Sequence, residues 1–468
     1  MVEVLQKKLS DSKGARWTVL ILVSFTMLCA YFLTDVMSPL KPMLESQLGW
    51  TSTNYGVFTS AYGWFNVFLL MLIIGGIILD KMGVRFTGLM ACVLMIGGCF
   101  LKYYAIANLT GAVGEVVGIP TQVFYACLGY AIFGVGVEIA GITVSKIIVR
   151  WFKGKEMALA MGMEMACARI GTGLALGITP FIASSFNSVS APILLALILL
   201  CVGLIAFLVF VVMDKKLDAS MDTSEEEAEE PFKIKDIGLI VTNKGFWLIA
   251  ILCVLFYSAV FPFLKYASDL MVNKYGLEEK YAGLIPMLLP FGNILLTPLF
   301  GFLYDKKGRG ATLMIIGSVL LISVHLLFSL PMFNVWQFAA FVTIILGIAF
   351  SLVPSAMWPS VPKIIPERQL GTAYSLIFWV QNWGLMGVPL LIGWVLDKYC
   401  IVGTRIVIDE KIVDGVATIV ERTVNVYDYT LPMTIFTCFG VLALFVALLL
   451  KREDKKKGYG LEQPNIKA

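Results

Sequence analysis

Runs of about twenty mostly apolar residues, separated by short polar segments, recur along the chain from Trp17 to Leu450. Each run is long enough to cross a hydrocarbon layer roughly 30 Å thick as a helix. The pattern predicts twelve spans, at 17–40, 53–79, 86–106, 121–149, 156–183, 190–213, 245–270, 281–304, 311–331, 335–361, 370–396 and 429–450. Residues 214–244, which include "DKKLDASMDTSEEEAEEPFKIKD", separate two sets of six, 1–213 and 245–468. The acidic run 225–230 reads as a solvated tether between the sets. One other long polar segment, 397–428, alternates β-branched and polar residues around Asp414-Gly415 and predicts an external β-hairpin.

Composition strengthens this picture. Of the 468 residues, 59% are hydrophobic and 15% charged, where a soluble domain carries about 25% charged residues. The first span follows "KKLSDSKGAR" without a small-residue cleavage site, so it is expected to be retained. Of 36 lysines and arginines, 26 fall on segments sharing the N-terminal face, nine on the opposite side, and one, Arg169, within a span. Positive charge concentrates on the cytoplasmic side. Both termini are therefore expected inside, in a multi-pass protein of a cell membrane, the bacterial inner membrane being the expected one.

The same inventory narrows the chemistry. The net charge of +4 belongs to one membrane face and gives no reason to expect nucleic acid. Nine cysteines without a C-x-x-C pair, and a lone His325 in an apolar run, leave little to build a metal site or a Ser-His-Asp triad. His325 reads as a packed or lipid-edge residue. No cofactor, no metal and no enzymatic activity are expected, and the absence of an ATP-binding P-loop excludes primary active transport by this chain alone.

The two sets repeat each other. "GGIILDKMGVR" at 75–85 follows the second span and "GFLYDKKGRG" at 301–310 follows the eighth, with Asp80 and Asp305 225 residues apart. "KGKEMALA" at 153–160 aligns with "PERQLGTA" at 366–373, a shift of 213. Repeated six-helix units are an architecture of secondary transporters, whose substrate sites lie near mid-membrane between the repeats. The G-x-x-x-D-[RK]-x-G pattern in both sets, followed by Val84-Arg85 in the first and Arg309 in the second, resembles the signature of the major facilitator superfamily. Three further stretches, "YGWFNVFLLMLIIGGIILDKMGVR", "FGVGVEIAG" and "RWFKGKEMALAMGMEMACARIGTG", resemble the lysosomal dipeptide transporters of that superfamily and their bacterial relatives. The resemblance implies an all-α membrane fold of two pseudo-symmetric six-helix bundles.

Two charges stand out at mid-depth. Glu138 lies twelve residues from Arg150, roughly 18 Å along its span, and Arg169 fourteen residues from Lys155, roughly 21 Å along the next. An ionised group there costs about 3 kcal/mol, so two such groups need a shared reason. One is a structural ion pair pinning the fourth span to the fifth. The other is a cleft whose ends complement a zwitterion, Glu138 meeting an ammonium and Arg169 a carboxylate through its planar fork. The family's glutamate and arginine for the two peptide termini match these positions.

Other polar positions fill out the expectation. Asn66 is expected to face the centre, and Tyr374, Trp379, Gln381 and Asn382 offer hydrogen bonds and ring faces from the second set. Asp35 is a proton or cation site or a wetted span end. Glu164, about 140° round the helix from Arg169, is a helix contact or a proton site. The resemblance implies gates at Asp80, Arg85, Arg150 and Asp305, with Arg150 the obvious partner for Asp80. The expected activity is movement of a small zwitterionic solute, a dipeptide above all, as a uniporter or proton symporter. The alternatives are a proton-coupled organic-anion or amino-acid carrier and a non-transporting receptor; the expected partners are that solute, the bilayer and an unidentified accessory protein.

Overall fold

The computed structural model describes residues 9–153, 155–219, 234–366, 369–413 and 416–465. The acidic run 225–230 and the Asp414-Gly415 turn lie outside the described residues. Helix α1 (Lys13–Asp35) starts at Ser12, whose hydroxyl accepts the Ala15 amide at 3.4 Å. Beyond Asp35 the chain makes a tight 3-10 turn, Ser38–Leu40, and re-aims into α2 (Lys41–Leu48), with Pro39 in the first turn of one and Pro42 in the first turn of the other. That turn carries α2 past the apolar run, across the seam between the two sets of helices.

The second crossing is broken where the sequence pattern predicts a continuous helix over 53–79. It comprises α3 (Ser52–Ser60), a 3-10 turn Ala61–Gly63 and α4 (Trp64–Phe68). Leu70 follows at φ 53, a left-handed conformation that is unusual for a side chain branched at γ. Then α5 (Met71–Asn108) runs through Gly83, whose φ of 76 breaks the helix internally. Residues 71–82 thus finish the second crossing and 84–108 make the third. Non-helical backbone at membrane depth is tolerated only where protein or a water-filled cavity covers it, and this break lies beside Glu138.

The first set is completed by a small ribbon of β1 (Glu115–Val116) and β2 (Ile119–Pro120), then α6 (Thr121–Phe152), α7 (Met157–Ser185) and α8 (Ala191–Asp218). A short α9 (Ile234–Val241) leads to α10 (Lys244–Tyr275), which Asn243 caps and left-handed Gly276 ends. Turns occupy 279–287, so α11 (Leu288–Lys307) begins later than its apolar run suggests. After it come α12 (Gly310–Ser329), α13 (Trp336–Ile364), α14 (Leu370–Tyr399) and α15 (Thr430–Lys457). Between α14 and α15, β3 (Ile401–Val413) and β4 (Val416–Tyr427) pair antiparallel, with Val413 opposite Val416. Among the described residues eleven helices are long and apolar enough to cross a membrane. Dividing α5 at Gly83 makes the crossings consistent with twelve.

His325 is fully buried between Phe263 and Phe436, with ring centroids 5.3 and 5.2 Å away, so it is a core residue and not a lipid-edge one. The two sets meet most closely where α3 packs on α14, on the face that carries the β3–β4 hairpin. Gly56 and Gly393 make that approach possible. A Cβ on Gly393 would run into the Ser52 carbonyl oxygen and stand 3.0 Å from the Gly56 Cα. Gly393→Val is expected to keep this face from closing, raising the labelling of cysteines placed along α3 several-fold over the parent. Unchanged labelling would show that the α3–α14 contact is not needed for closure.

Candidate functional site

Four helices position the mid-depth charges. The Tyr62 hydroxyl, on the 3-10 turn of the broken crossing, donates to Glu138 Oε1 of α6 at 2.9 Å. Arg169 projects from α7 toward the second set, its guanidinium carbon 5.3 Å from the Phe350 ring centre of α13 and 5.8 Å from Phe261 of α10. Both charged residues keep partial exposure at mid-helix, so a cleft between the sets reaches them. Arg169 makes no ion pair with Glu138, whose hydrogen bond among the described residues is the one from Tyr62. The pinning of α6 to α7 by a charge pair is therefore not what the geometry shows. Tyr31 of α1 lies close enough to Arg169, Glu138 and Glu164 to feel all three charges. Glu164 also feels Arg169, although helical geometry sets the two apart on α7.

The second-set candidates divide. Trp379 Nε1 donates across the seam to the Val67 carbonyl at 3.2 Å, and Tyr374 bonds the Trp358 carbonyl at 3.3 Å. Gln381 accepts the Cys253 thiol at 3.4 Å. Asn382 is buried with its amide on the Phe378 carbonyl and its Oδ1 unpartnered; Asn66 is buried likewise, its amide on the Tyr62 carbonyl. The ring that faces Arg169 comes instead from Phe350, beside the Ser351 that the repeat places opposite Glu138. Ser351 itself is turned onto Asn293 at 2.7 Å.

Gate residues are arranged differently from the expectation. Asp80 pairs with Lys146 of α6 at 2.9 Å, not with Arg150. Arg150 and Arg85 together embrace Asp214 and Asp218 at the end of α8, and Trp151 adds a hydrogen bond to Asp214 at 3.1 Å. The reason is register: Lys146 lies one helical turn before Arg150, closer to the end of the second crossing. Asp305 accepts the Asn465 side-chain amide at 2.7 Å. On the face bearing both termini, no ion pair between described residues joins the two sets.

The hairpin face is the reverse. Lys265 of α10 pairs with Asp35 of α1 at 2.7 Å and also donates to the Thr34 carbonyl at 2.9 Å. Lys41 of α2 pairs with Asp269 of α10 at 2.6 Å, and Asp397 of α14 accepts the Ser52 and Thr53 amides opening α3. Asp35 is thus not a wetted span end; it is buried and ion-paired. These contacts close the seam between the two sets on the hairpin face.

The sequence reading missed Lys41, Lys265 and Asp269, which sit at span ends and resemble ordinary interfacial charges. It also missed Lys102, fully buried with its ammonium 4.8 Å from the Tyr130 ring centre and 5.8 Å from those of Phe58 and Phe133. Lys102 lies four residues from the end of its predicted span, so like Lys265 it reads from the sequence as an interfacial charge.

Repeated helix bundles, a mid-depth cleft and a seam latched on one face define a secondary transporter. The Major Facilitator Superfamily model matches residues 23–389, and the chain belongs to that superfamily as a multi-pass membrane transporter. The chain is 27% identical to the lysosomal dipeptide transporter MFSD1 of Homo sapiens over 393 residues, 82% of this chain and 80% of that protein. The Bos taurus protein of the same name gives 27% over 392 residues, with the same coverage. Among solved structures, a bacterial homolog of the human lysosomal transporter Spinster, inward-facing and unoccupied, superposes with a TM-score of 0.67 at 13% identity. That match covers 95% of this chain and 98% of the other. These relatives lend no support to a bacterial inner membrane as the site of residence.

Breaking a buried ion pair by removing one partner typically costs about 3–5 kcal/mol, because the other charge is stranded. Lys265→Met is therefore expected to release the hairpin face, and adding Asp35→Asn to restore much of the closure. Labelling of hairpin-face cysteines in the two single variants and the double variant checks this. Equal effects in all three would remove the pair as a latch.

Proposed function

We propose that the chain carries dipeptides across its membrane by alternating access, with Glu138 receiving the α-ammonium and Arg169 the carboxylate. The observation that supports this most is that two opposite charges share one cleft at mid-depth without pairing to each other. Each is held ready by a neutral group: Glu138 by the Tyr62 hydroxyl, Arg169 by two phenylalanine faces. A ring holds a guanidinium weakly, by about 0.5–2 kcal/mol, so an incoming carboxylate can displace it. The planar fork then binds that carboxylate in bidentate fashion.

The pair also measures the ligand. An extended residue spans at most about 3.6 Å, so a dipeptide separates its terminal charges by roughly 5–7 Å, more than an amino acid does. The relatives' name, lysosomal dipeptide transporter, agrees with this reading at 27% identity. In the cycle we propose, the termini face the cytoplasm, as the lysine and arginine bias favours. The present state is then open to the cytoplasm and latched outside by Asp35–Lys265 and Lys41–Asp269. The domain division, 1–213 and 245–468 joined by 214–244, makes the two sets the rocking bodies.

Thermal shift of the purified chain tests the substrate. A ligand at ten times its Kd stabilises the folded state by about 1.4 kcal/mol. Dipeptides are expected to raise Tm where single amino acids, tripeptides and dicarboxylates do not, and Arg169→Ala is expected to abolish the shift. Stabilisation by dicarboxylates alone would overturn the dipeptide assignment.

Transport tests the residues. Losing a hydrogen bond to a charged group costs about 1.5–3 kcal/mol, so Glu138→Gln and Arg169→Lys are expected to lower dipeptide uptake into proteoliposomes roughly 10- to 100-fold. Glu164→Gln is expected to leave it within a few-fold of the parent. Normal uptake in either Glu138→Gln or Arg169→Lys would remove the clamp.

A further inference from the structure

The latch on the hairpin face is unbalanced in charge. Lys41 Nζ donates to Glu45 Oε1 at 2.7 Å and to Asp269 Oδ2 at 2.6 Å, one ammonium between two carboxylates. Lys41 and Asp269 are buried and Glu45 is nearly so: the side-chain exposures are 0%, 1% and 8%. Lys41 and Glu45 belong to α2, in the first set, and Asp269 to α10, in the second. Closing this face therefore pushes a second carboxylate against an ion pair that was already neutral.

The neighbours do not supply the missing positive charge. Asp269 also accepts from the Tyr429 hydroxyl and, through Oδ1, from Asn273 at 2.9 Å. Glu45 Oε1 also accepts from Ser52 Oγ at 3.0 Å. Tyr427 of β4 places its ring 4.7 Å from Lys41 Nζ, and Tyr266 of α10 donates to the Pro389 carbonyl. Asp397 of α14 is occupied by the Ser52 and Thr53 amides and the Tyr427 hydroxyl. Arg422 of β4 donates through Nη1 to the Ser46 and Gln47 carbonyls at the end of α2, and Arg405 is paired with Glu279. Among the described residues, no second cation bonds to Glu45 or Asp269. Asp269 has acceptors filled by Lys41, Tyr429 and Asn273, whereas among the described residues Glu45 Oε2 accepts no hydrogen bond.

We propose that Glu45 is a proton-binding site of the gate, protonated on Oε2 when the hairpin face closes and ionised when it opens. The O–H bond forms with a proton from the medium bathing that face, and the closed latch becomes neutral overall. On opening, Asp269 leaves with the second set, water reaches Glu45, and the proton returns to the same medium. The proton is therefore not carried across the membrane; it sets which way the cleft faces. In the closed state Asp269 shares the Lys41 ammonium with Glu45 in a site shielded from water, so the neutral carboxyl is favoured there and the closed state binds the proton more tightly. It gains population as pH falls, and the gain levels off at the ordinary carboxylate value.

The proposal rests on the chain being a two-state carrier and not on dipeptides being its cargo. Its test therefore uses no substrate. Spin labels on Val113→Cys and Met332→Cys, on exposed hairpin-face loops of the two sets, would report their separation in the full chain, freed of exposed native cysteines, in nanodiscs. Between about pH 8 and pH 5 the short-distance population, relative to the long, is expected to rise roughly tenfold, the factor that one unit of difference in proton affinity gives. Glu45→Gln and, separately, Asp269→Asn remove the excess charge at different positions, and each is expected to flatten the pH profile. A flat profile in the parent chain, or an unaltered slope in both variants, would overturn the proposal. If dipeptides fail to bind while the pH response stands, only the substrate assignment falls.

Discussion

The Asp35–Lys265 pair is the contact on which the asymmetry of the structure depends. It joins α1 to α10 deep in the hairpin-face seam, where neither charge could remain buried alone. Because both are satisfied only when the sets touch, the pair makes closure of this face an electrostatic requirement as well as a packing one. The Gly56–Gly393 approach and the Asp397 cap on α3 then fit only in that arrangement. On the other face the charged groups find partners within their own set. Arg85 and Arg150 hold Asp214 and Asp218, and Lys146 holds Asp80. Among the described residues no ion pair on that face joins the two sets.

Glu138 and Arg169 are distinguished from the latching charges by what they touch. Latching residues meet opposite charges on the far set. Glu138 and Arg169 meet a hydroxyl and ring faces, contacts strong enough to orient a side chain and weak enough to surrender it. The broken second crossing contributes directly, since an unbroken helix through 60–70 would not offer the Tyr62 hydroxyl on the same 3-10 turn. Strain at Leu70 thus accompanies a placed donor, as in transporters whose interrupted helices flank their sites.

Particular residues show how far sequence alone reaches. Arg169 and Glu138 stood out in the sequence because a charge inside an apolar run is costly at that depth, but whether they pair with each other was open there. The spans were legible for the same physical reason, the intolerance of hydrocarbon for polar groups. Lys41, Lys265 and Asp269 were not legible, because a lysine or aspartate near a span end is ordinary at a membrane interface. The Asp80–Arg150 pairing failed because two cations one turn apart on α6 compete, and only three-dimensional register selects Lys146. Phe261 and Phe350 were not legible, because a phenylalanine inside an apolar run is most simply helix packing.

The sequence by itself determined the membrane class, the doubled six-span plan and the two mid-depth charges, since each is written in local composition and spacing. Tertiary structure decided which charges pair across the seam, which face is sealed and where the second crossing breaks. Those outcomes turn on contacts between residues far apart in the chain, such as Asp35 and Lys265, 230 positions apart. No local pattern encodes them, because the free energy of a buried charge depends on what the rest of the fold brings beside it.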